Sequence, residues 1–224
     1  MCGRFTLHSN PNILAAEFDL TDFPLLNPRY NIAPMQPLVA LRRDDAGERT
    51  VALLKWGLVP SWADDPKIGN RMINARSETV AEKPAFRAAF RRRRCLVPAD
   101  GYYEWRKVGK GKQPYLIYDA RQRPFAMAGL WEAWEAPDGS VVETCTLLTT
   151  SANPRLCPLH DRMPVILAEP DRTVWLDPHA SSPTLQALLR PAPEDVLEFH
   201  PVSTLVNSPL HESAECLEPV PPSA

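Results

Sequence analysis

The sequence lacks the features that mark several common protein classes. No apolar run in its 224 residues approaches the ~18 residues of a membrane-spanning helix, and no signal-peptide pattern is present. The five cysteines are odd in number and form no CxxC pair, which disfavours both a disulfide framework and a zinc finger. These absences predict a soluble protein of a reduced, intracellular compartment.

Familiar catalytic and nucleotide-binding signatures are absent as well. No serine lies in a G-x-S-x-G elbow, and there is no glycine-rich phosphate loop. The formal net charge is −2, so any nucleic-acid site has to be a local patch rather than a global basic field. Since no repeat, linker or low-complexity block divides the chain, we expect one domain over residues 1–218 and a proline-rich tail over residues 219–224.

Proline, by contrast, is abundant, with 25 residues, about twice the usual ~5%. Such a chain favours short strands, turns and loops over long helices. Helices are expected after Asn10, from Pro84 and from Ser182 through Leu189. Apolar runs predict strands at 38–41, 51–54, 101–106, 115–118, 125–130, 141–149 and 165–167. The predicted fold class is therefore α+β, a β-rich single domain with short peripheral helices.

The N-terminal stretch Met1-Cys2-Gly3-Arg4-Phe5 carries the most distinctive chemistry. Methionine aminopeptidase removes Met1 when the next side chain is as small as that of Cys2. Cys2 would then hold a free α-amine, with a pKa near ~7.7–8, beside a thiol with a pKa near ~8.5. Such a pair attacks aldehydes in two steps, because the amine forms an imine and the thiol closes a thiazolidine ring. The alternative is an accidental second codon in a frayed terminus.

Three interior residues are further candidates for chemistry, each with a plainer alternative. Glu104 lies among aromatic residues that would raise its carboxyl pKa, or else on the solvent face of a strand. His160, flanked by an acid and a base, is either functional or a loop histidine held by its neighbours. Asn74 is either a turn residue or a buried amide that orients a ligand. The run Arg91 to Arg94 is either a solvated helix end or a phosphate contact.

Seven separated motifs, in this order, carry a resemblance that runs nearly end to end. They are Cys2-Gly3-Arg4-Phe5, Arg29-Tyr30-Asn31-Ile32-Ala33-Pro34, Trp56-Gly57-Leu58-Val59-Pro60, Ile73-Asn74-Ala75-Arg76-Ser77-Glu78-Thr79, Ala99-Asp100-Gly101-Tyr102-Tyr103-Glu104-Trp105, His160-Asp161-Arg162-Met163-Pro164 and His200-Pro201-Val202-Ser203. The chain resembles the SRAP family, named for SOS-response-associated peptidase. The resemblance implies a mainly antiparallel, barrel-like core with a DNA groove above it.

Family members bind single-stranded DNA and react covalently with abasic sites. The resemblance implies Cys2 as the nucleophile and Asn74, Glu104 and His160 as its catalytic partners, with no metal and no cofactor. The expected partner is single-stranded DNA that contains abasic sites. We expect a monomer that contacts no membrane and is cytoplasmic and nucleoid-associated in a bacterium, or nuclear in a eukaryote.

The expected DNA contacts are phosphate hydrogen bonds from Arg4, Asn31, Arg76 and Thr149. Trp62 would stack on a base or lie beside one as a wedge, its alternative being a core tryptophan. Two other functions stay open at this point. One is a cysteine peptidase or amidase that uses the same Cys2 site, and the other is a single-strand binder without chemistry.

Overall fold

The computed structural model describes residues 2–44 and 46–221, and the elements below are those of these residues. The strands are β1 (Phe5–Leu7), β2 (Arg29–Ile32), β3 (Pro37–Arg43), β4 (Arg49–Trp56), β5 (Asn74–Arg76), β6 (Arg94–Ala99), β7 (Gly101–Val108), β8 (Gly111–Asp119), β9 (Phe125–Glu135), β10 (Val141–Ser151), β11 (Arg162–Pro164), β12 (Ile166–Leu167) and β13 (Leu197–Pro201). The helices are α1 (Pro11–Glu17), α2 (Arg87–Arg92), α3 (Glu169–Leu176) and α4 (Ser182–Ala187), with short 3-10 helices at Pro66–Arg71, Thr204–Asn207 and Ala214–Leu217. Within these residues, no helix is long and apolar enough to cross a membrane.

Five strands form a closed barrel. Strand order runs β10, β4, β3, β6, β9, and β9 pairs again with β10 along seven residues, which closes the ring. All pairs are antiparallel except β4 with β10. The inward side chains are apolar and buried, as Leu41, Leu96 and Leu147 illustrate. The β-rich α+β prediction with a barrel-like core is thus confirmed.

A second, open sheet lies beside the barrel in the order β13, β8, β7, β1, β2, with every pair antiparallel. The N-terminal strand β1 is therefore an interior strand of this sheet. Its Phe5 is fully buried and meets Trp56 of the barrel edge-on, with ring centroids 5.4 Å apart. Because β1 has neighbours on both sides and a buried aromatic anchor, the residues just before it are held in place.

The carboxylate of Asp100 fixes where β1 ends. It accepts hydrogen bonds from the backbone N–H groups of His8 and Ser9 and from the Ser9 hydroxyl. Asp100 lies between β6 of the barrel and β7 of the second sheet. The side chain thereby ties the N-terminal strand to the point where the two sheets meet.

The predicted helices are present with shifted boundaries, and one was missed. The Asn10 side chain caps α1 by accepting from the Asn12 N–H at 2.9 Å, as expected. The prediction that a helix starts at Pro84 is wrong, since α2 begins at Arg87. The residues before it form turns, and the last of them, Phe86, has a non-helical φ of −122°. The cap of α4 is Ser181 rather than Ser182, and this helix ends at Ala187, before Leu189. Helix α3 was not predicted, although its first turn carries a proline and two acids.

The C-terminal segment packs on the outer face of the second sheet. Glu212 accepts from the backbone N–H groups of Tyr30 and Asn31 and forms an ion pair with Arg29. It thus covers the free edge of β2, which would otherwise expose unpaired backbone groups. The Val220 N–H donates to the Pro201 carbonyl at 2.9 Å, while residues 222–224 of the predicted tail lie outside the described residues. The domain boundary after residue 218 stays a prediction.

Candidate active site

Cys2 lies at the junction of the two sheets. The ladder between β1 and β7 continues outward to Arg4, whose carbonyl accepts from the Tyr103 N–H at 2.9 Å. Two residues before Arg4, Cys2 is fully buried, and its carbonyl accepts from the Asn74 amide Nδ2 at 2.8 Å. The first described residue of the chain is therefore buried and held from the barrel side.

Asn74 is placed by the short strand β5, which pairs in parallel with β10 so that Asn74 lies opposite Leu147. Its Nδ2 donates a hydrogen bond to the Cys2 carbonyl. Its Oδ1 is buried and has no hydrogen-bond partner among the described residues. Since a buried acceptor without a donor is costly, this oxygen is a ready partner for an N–H or O–H group of a ligand.

Glu104 lies on β7, with only 4% of its surface exposed. Burial raises the pKa of its carboxyl above the usual range, and the charge of nearby His160 partly opposes this shift. The same burial raises the pKa of neighbouring Tyr102 well above its usual range. Because the raised pKa favours the protonated carboxyl, Glu104 suits a general acid.

Burial also raises the pKa of the Cys2 thiol above its usual range. The negative charge of Glu104 adds to this shift, while the backbone N–H of Arg4 opposes it. The sequence suggests a partly ionised thiol at neutral pH, whereas burial in the folded chain favours the neutral form. The sequence does not reveal the depth of this burial. A thiol held neutral in this way reacts only when a base takes up its proton.

The His160 ring meets a donor and an acceptor at the same nitrogen. Its Nδ1 lies 2.9 Å from the backbone N–H of Arg162, which can only donate. Asp161 Oδ1 lies at the same distance from Nδ1, and a carboxylate can only accept. The Arg162 contact therefore uses a lone pair on Nδ1, whereas the Asp161 contact uses a proton there.

The structure brings together all four predicted catalytic residues. Cys2 is coupled electrostatically to Glu104 and hydrogen-bonded to Asn74, while Glu104 is in turn coupled to His160. Asn74 and Glu104 lie on β5 and β7, whereas Cys2 precedes β1 and His160 lies in the loop before β11. Among the described residues, no three His, Cys, Asp or Glu side chains cluster as metal ligands would.

Three predicted DNA contacts have their polar groups engaged inside the protein. Asn31 is fully buried, accepts from Arg4 Nη1 at 2.8 Å and donates its amide hydrogens to backbone carbonyls of the C-terminal segment. Arg4 also donates to the Val206 carbonyl at 2.7 Å. Thr149 is fully buried in β10, with its hydroxyl directed to the Ala75 carbonyl. In this structure the Asn31 and Arg4 pair therefore serves to fasten the C-terminal segment to the residues beside Cys2.

Two other predicted DNA contacts are exposed. Trp62 has 58% of its surface accessible, so its alternative as a core tryptophan is wrong. The loop that carries it is held by an approach of Gly57 to Gly69 so close that an added Cβ at Gly57 would lie 2.7 Å from the Gly69 carbonyl oxygen. Arg76 is exposed two residues from Asn74 on β5, and no acidic side chain of the described residues pairs with it.

Two further residues shape the site and received no role from the sequence. Asp100 anchors the N-terminal strand, as described above. Arg162 binds Glu78 through both terminal nitrogens and donates to the Thr149 carbonyl, which joins the β5 side of the site to the histidine loop. Both lie inside the motifs that carry the resemblance, and Asp100 stands immediately before a glycine at a strand junction. This position before a glycine is the sequence signal that could have identified Asp100 as a structural residue of the site.

The arginine run fits the solvated helix end only in its first half. Arg91 and Arg92 are exposed in the last turn of α2, where cations suit the helix dipole. Arg93 pairs with buried Glu132 at 2.7 Å. Arg94 is 5% exposed and is bound by backbone carbonyls. The last two arginines are thus structural.

Comparison with known proteins identifies the family. The sequence profile of the SRAP family, described as SOS response associated peptidase, matches residues 1–209. The chain belongs to this family. It is 46% identical over 223 residues to Abasic site processing protein YoaM of Bacillus subtilis, covering 97% of this chain and 98% of that protein.

More distant relatives share the family and the fold. Abasic site processing protein HMCES of Xenopus tropicalis is 36% identical over 216 residues, covering 85% of this chain and 64% of that protein. A crystal structure of a protein from Bacteroides thetaiotaomicron superposes with a TM-score of 0.88 at 26% identity, covering 98% of this chain and all of the other. These relatives confirm the resemblance seen in the sequence motifs.

Proposed function

We propose that this protein processes abasic sites by binding single-stranded DNA and forming a thiazolidine crosslink between Cys2, as the first residue after removal of Met1, and the open aldehyde of the abasic sugar. The observation that carries the proposal is the group around Cys2, in which Asn74 holds its carbonyl and Glu104 lies buried nearby with a raised pKa. The names of the relatives, abasic site processing proteins, support the same substrate.

The first half of the reaction joins the amine to the sugar. Glu104, as a protonated carboxyl, donates its proton to the ring oxygen, and the bond from that oxygen to the anomeric carbon breaks. The anomeric hydroxyl returns its proton to the carboxylate, which gives the aldehyde and restores the acid. The Cys2 amine adds to the carbonyl carbon, and the resulting carbinolamine loses water with a proton supplied by a carboxyl or imidazolium. Asn74 Oδ1 accepts a hydrogen bond from the reacting amine or sugar hydroxyl and fixes the approach.

The second half closes the ring. The Cys2 sulfur bonds to the iminium carbon, and the electron pair of the C=N bond moves to nitrogen. The thiol proton passes to the Glu104 carboxylate, which restores the acid. Amine, thiol and aldehyde thus become a thiazolidine and one water, with no change in oxidation state. The closed ring protects the adduct from hydrolysis and from the β-elimination that would break the strand.

Burial of the thiol speaks against the peptidase alternative. A cysteine peptidase attacks with a thiolate, whose site lowers the thiol pKa. At Cys2 the pKa shift has the opposite direction, since burial and the Glu104 charge both raise it. The two-step scheme needs no thiolate in the free protein, because the amine attacks first.

A denaturing gel with abasic single-stranded DNA tests the proposal. The wild-type protein should give a slow-migrating adduct that survives heating in detergent, whereas a peptidase or a non-covalent binder gives none. If the intact mass shows that Met1 is still attached, Cys2 has no free α-amine, and the scheme depends on that amine.

Substitution of Cys2 separates the two steps. Cys2→Ala and Cys2→Ser keep an N-terminal amine and should form an imine that borohydride traps. Neither should give the stable adduct, since Ala cannot close the ring and the Ser oxygen is a weaker nucleophile. A heat-stable adduct from Cys2→Ala at the wild-type level would show that the thiol is irrelevant.

A further inference from the structure

The hairpin that joins β7 to β8 carries an unusual concentration of positive charge. Arg106, Lys107, Lys110 and Lys112 lie within seven residues that contain no acid, in a chain whose net charge is −2. All four are exposed. No acidic side chain of the described residues pairs with any of them, and Arg106 lies over the Tyr115 ring, 5.8 Å from its centroid.

The pairing of this hairpin makes the charge costly to the fold. Lys107 lies directly opposite Lys112 in the β7–β8 register. Like charges opposite each other destabilise a strand pair, whereas a glutamate at either position would form a favourable cross-strand pair. A polyanion that contacts both lysines converts this repulsion into attraction. A repulsive lysine pair that no other contact of the described residues offsets is a mark of function.

The position of the hairpin connects it to the active site. The β1–β7 ladder ends near Tyr103, and the β13–β8 pairing ends at Tyr115. Beyond these residues the hairpin has no neighbouring strand among the described residues, so it projects past the sheet edge beside Cys2. Lys107 follows Glu104 by three positions along β7, a rise of about 10 Å, and its side chain lies on the opposite strand face. Arg106, two residues from Glu104, lies on the same strand face as that carboxyl.

We propose that residues 106–112 form a second contact surface for the nucleic-acid backbone, which holds the DNA strand on one side of the abasic nucleotide. The proposal rests on the proposed function, because that function places the abasic sugar at Cys2 and Glu104. The ligand chemistry is a row of phosphates, which exposed lysines and arginines recognise without regard to base sequence. The hairpin extends from one end of the site only, so its partner is one flank of the strand.

The variant Lys107→Glu tests this by moving stability and binding in opposite directions. Glu at 107 faces Lys112, so the thermal midpoint should rise. Affinity for undamaged single-stranded DNA, measured by fluorescence anisotropy, should fall by about tenfold or more at low salt. The slope of log K against log[salt] should shrink by about 0.7 for each phosphate that the variant no longer neutralises. A more stable protein that binds less tightly cannot be explained by a damaged hairpin.

Arg121→Glu is the matched control. Arg121 is exposed two residues beyond the far end of β8, whose span from Lys112 to Asp119 is about 23 Å, and its substitution reverses the same charge. It should leave DNA affinity and the salt slope at wild-type values. If Lys107→Glu binds like wild type, or if Arg121→Glu weakens binding equally, the hairpin contact is overturned.

Oligonucleotides with one long flank test the geometry. Two abasic strands are compared, one extended only on the 5′ side and the other only on the 3′ side. Lys107→Glu should weaken binding to one of them and leave the other nearly unchanged, whereas an equal loss on both would overturn the one-sided contact. Because affinity for undamaged DNA needs no crosslink, a wild type that binds through the hairpin but forms no adduct would defeat the proposed function alone.

Discussion

Two buried ionisable side chains, one on the barrel and one beside Cys2, lie in different surroundings. Arg94, at the start of β6, and Glu104, on β7, are 5% and 4% exposed. The Arg94 guanidinium donates to the backbone carbonyls of Phe90, Arg91, Trp175 and Asp177. These carbonyls lie at the C-terminal ends of α2 and α3, so one side chain caps two helices.

Glu104 is the ionisable side chain beside Cys2. Burial raises the pKa of its carboxyl, which means that the folded state disfavours the charged form. In the same site, Asn74 Oδ1 lacks a partner among the described residues and burial keeps the Cys2 thiol neutral. Burial also lowers the pKa of Arg94, so it disfavours the charged form of both side chains. The difference teaches that the guanidinium is held by backbone carbonyls that support structure, whereas the carboxyl lies where chemistry is expected. Perturbed groups gathered in one place are the physical sign of a functional site.

The largest expected effect is on the reaction at Glu104. Glu104→Gln keeps the shape of the side chain and removes the proton that it donates, so the rate of adduct formation should fall about 10²–10⁴-fold. Single-turnover kinetics with abasic single-stranded DNA measures it. Glu132→Gln, a second buried glutamate paired with Arg93, should keep the wild-type rate. Equal rates for wild type and Glu104→Gln from pH 6 to 8 would defeat the general-acid role.

Substitution of Arg94 should lower the stability of the fold rather than the rate of the reaction. Arg94→Met leaves carbonyls at two helix ends without a donor, and each such group costs about 1–3 kcal/mol. We expect the free energy of unfolding in urea to fall by at least about 3 kcal/mol. Arg92→Met, in the exposed last turn of α2, should change it by no more than about 0.5 kcal/mol. Similar losses in both variants would mean that the carbonyl contacts contribute little.

Exposed arginines near the two buried side chains should differ in their effect on DNA binding. Arg76→Glu, beside the Asn74 strand, should weaken binding to undamaged single strands by about tenfold, with a reduced salt slope. Arg92→Glu on α2 is the matched control and should have a smaller effect. Arg93 is unsuitable for this purpose, because its reversal would break the ion pair with buried Glu132. A larger effect at Arg92 would move the DNA groove to the arginine run.

The smallest effect is the pH dependence of stability. The folded pKa of Glu104 lies above its unfolded value, so between the two the native state binds more protons and stability falls as pH rises. Glu104→Gln removes this contribution. The variant should therefore match wild type below the unfolded pKa of about 4.3 and become relatively more stable as pH rises above it. A stability difference that does not change with pH would contradict the desolvation of Glu104.

The sequence supported the fold class because short apolar runs and turn residues are local signals. The apolar runs predicted strands in β3, β4, β9 and β10, and the pairs β3–β4 and β9–β10 join strands that are neighbours along the chain. The parallel pairing of β4 with β10, which helps close the barrel, joins residues nearly ninety positions apart and has no local signal. The start of α2 was placed wrongly because the propensity after Pro84 yielded to packing of the preceding turn.

The candidate site divides in the same way. The residue types at Cys2, Asn74, Glu104 and His160 indicated an amine–thiol nucleophile with acid and amide partners, since that chemistry belongs to the side chains themselves. Their meeting at one junction depends on Asp100, on the interior place of β1 and on the pairing of β5 with β10. None of these contacts is between sequence neighbours.

By itself, the sequence determined which functional groups are present and that they belong to a β-rich domain of the SRAP family. Tertiary structure alone decided which groups are accessible and how they ionise. Asn31 and Thr149 became internal hydrogen-bonding groups, Trp62 became exposed, and the Cys2 thiol lost its ordinary pKa. The physical reason is that a side chain carries its chemistry with it, whereas burial, charge and hydrogen bonding come from residues that only folding brings near.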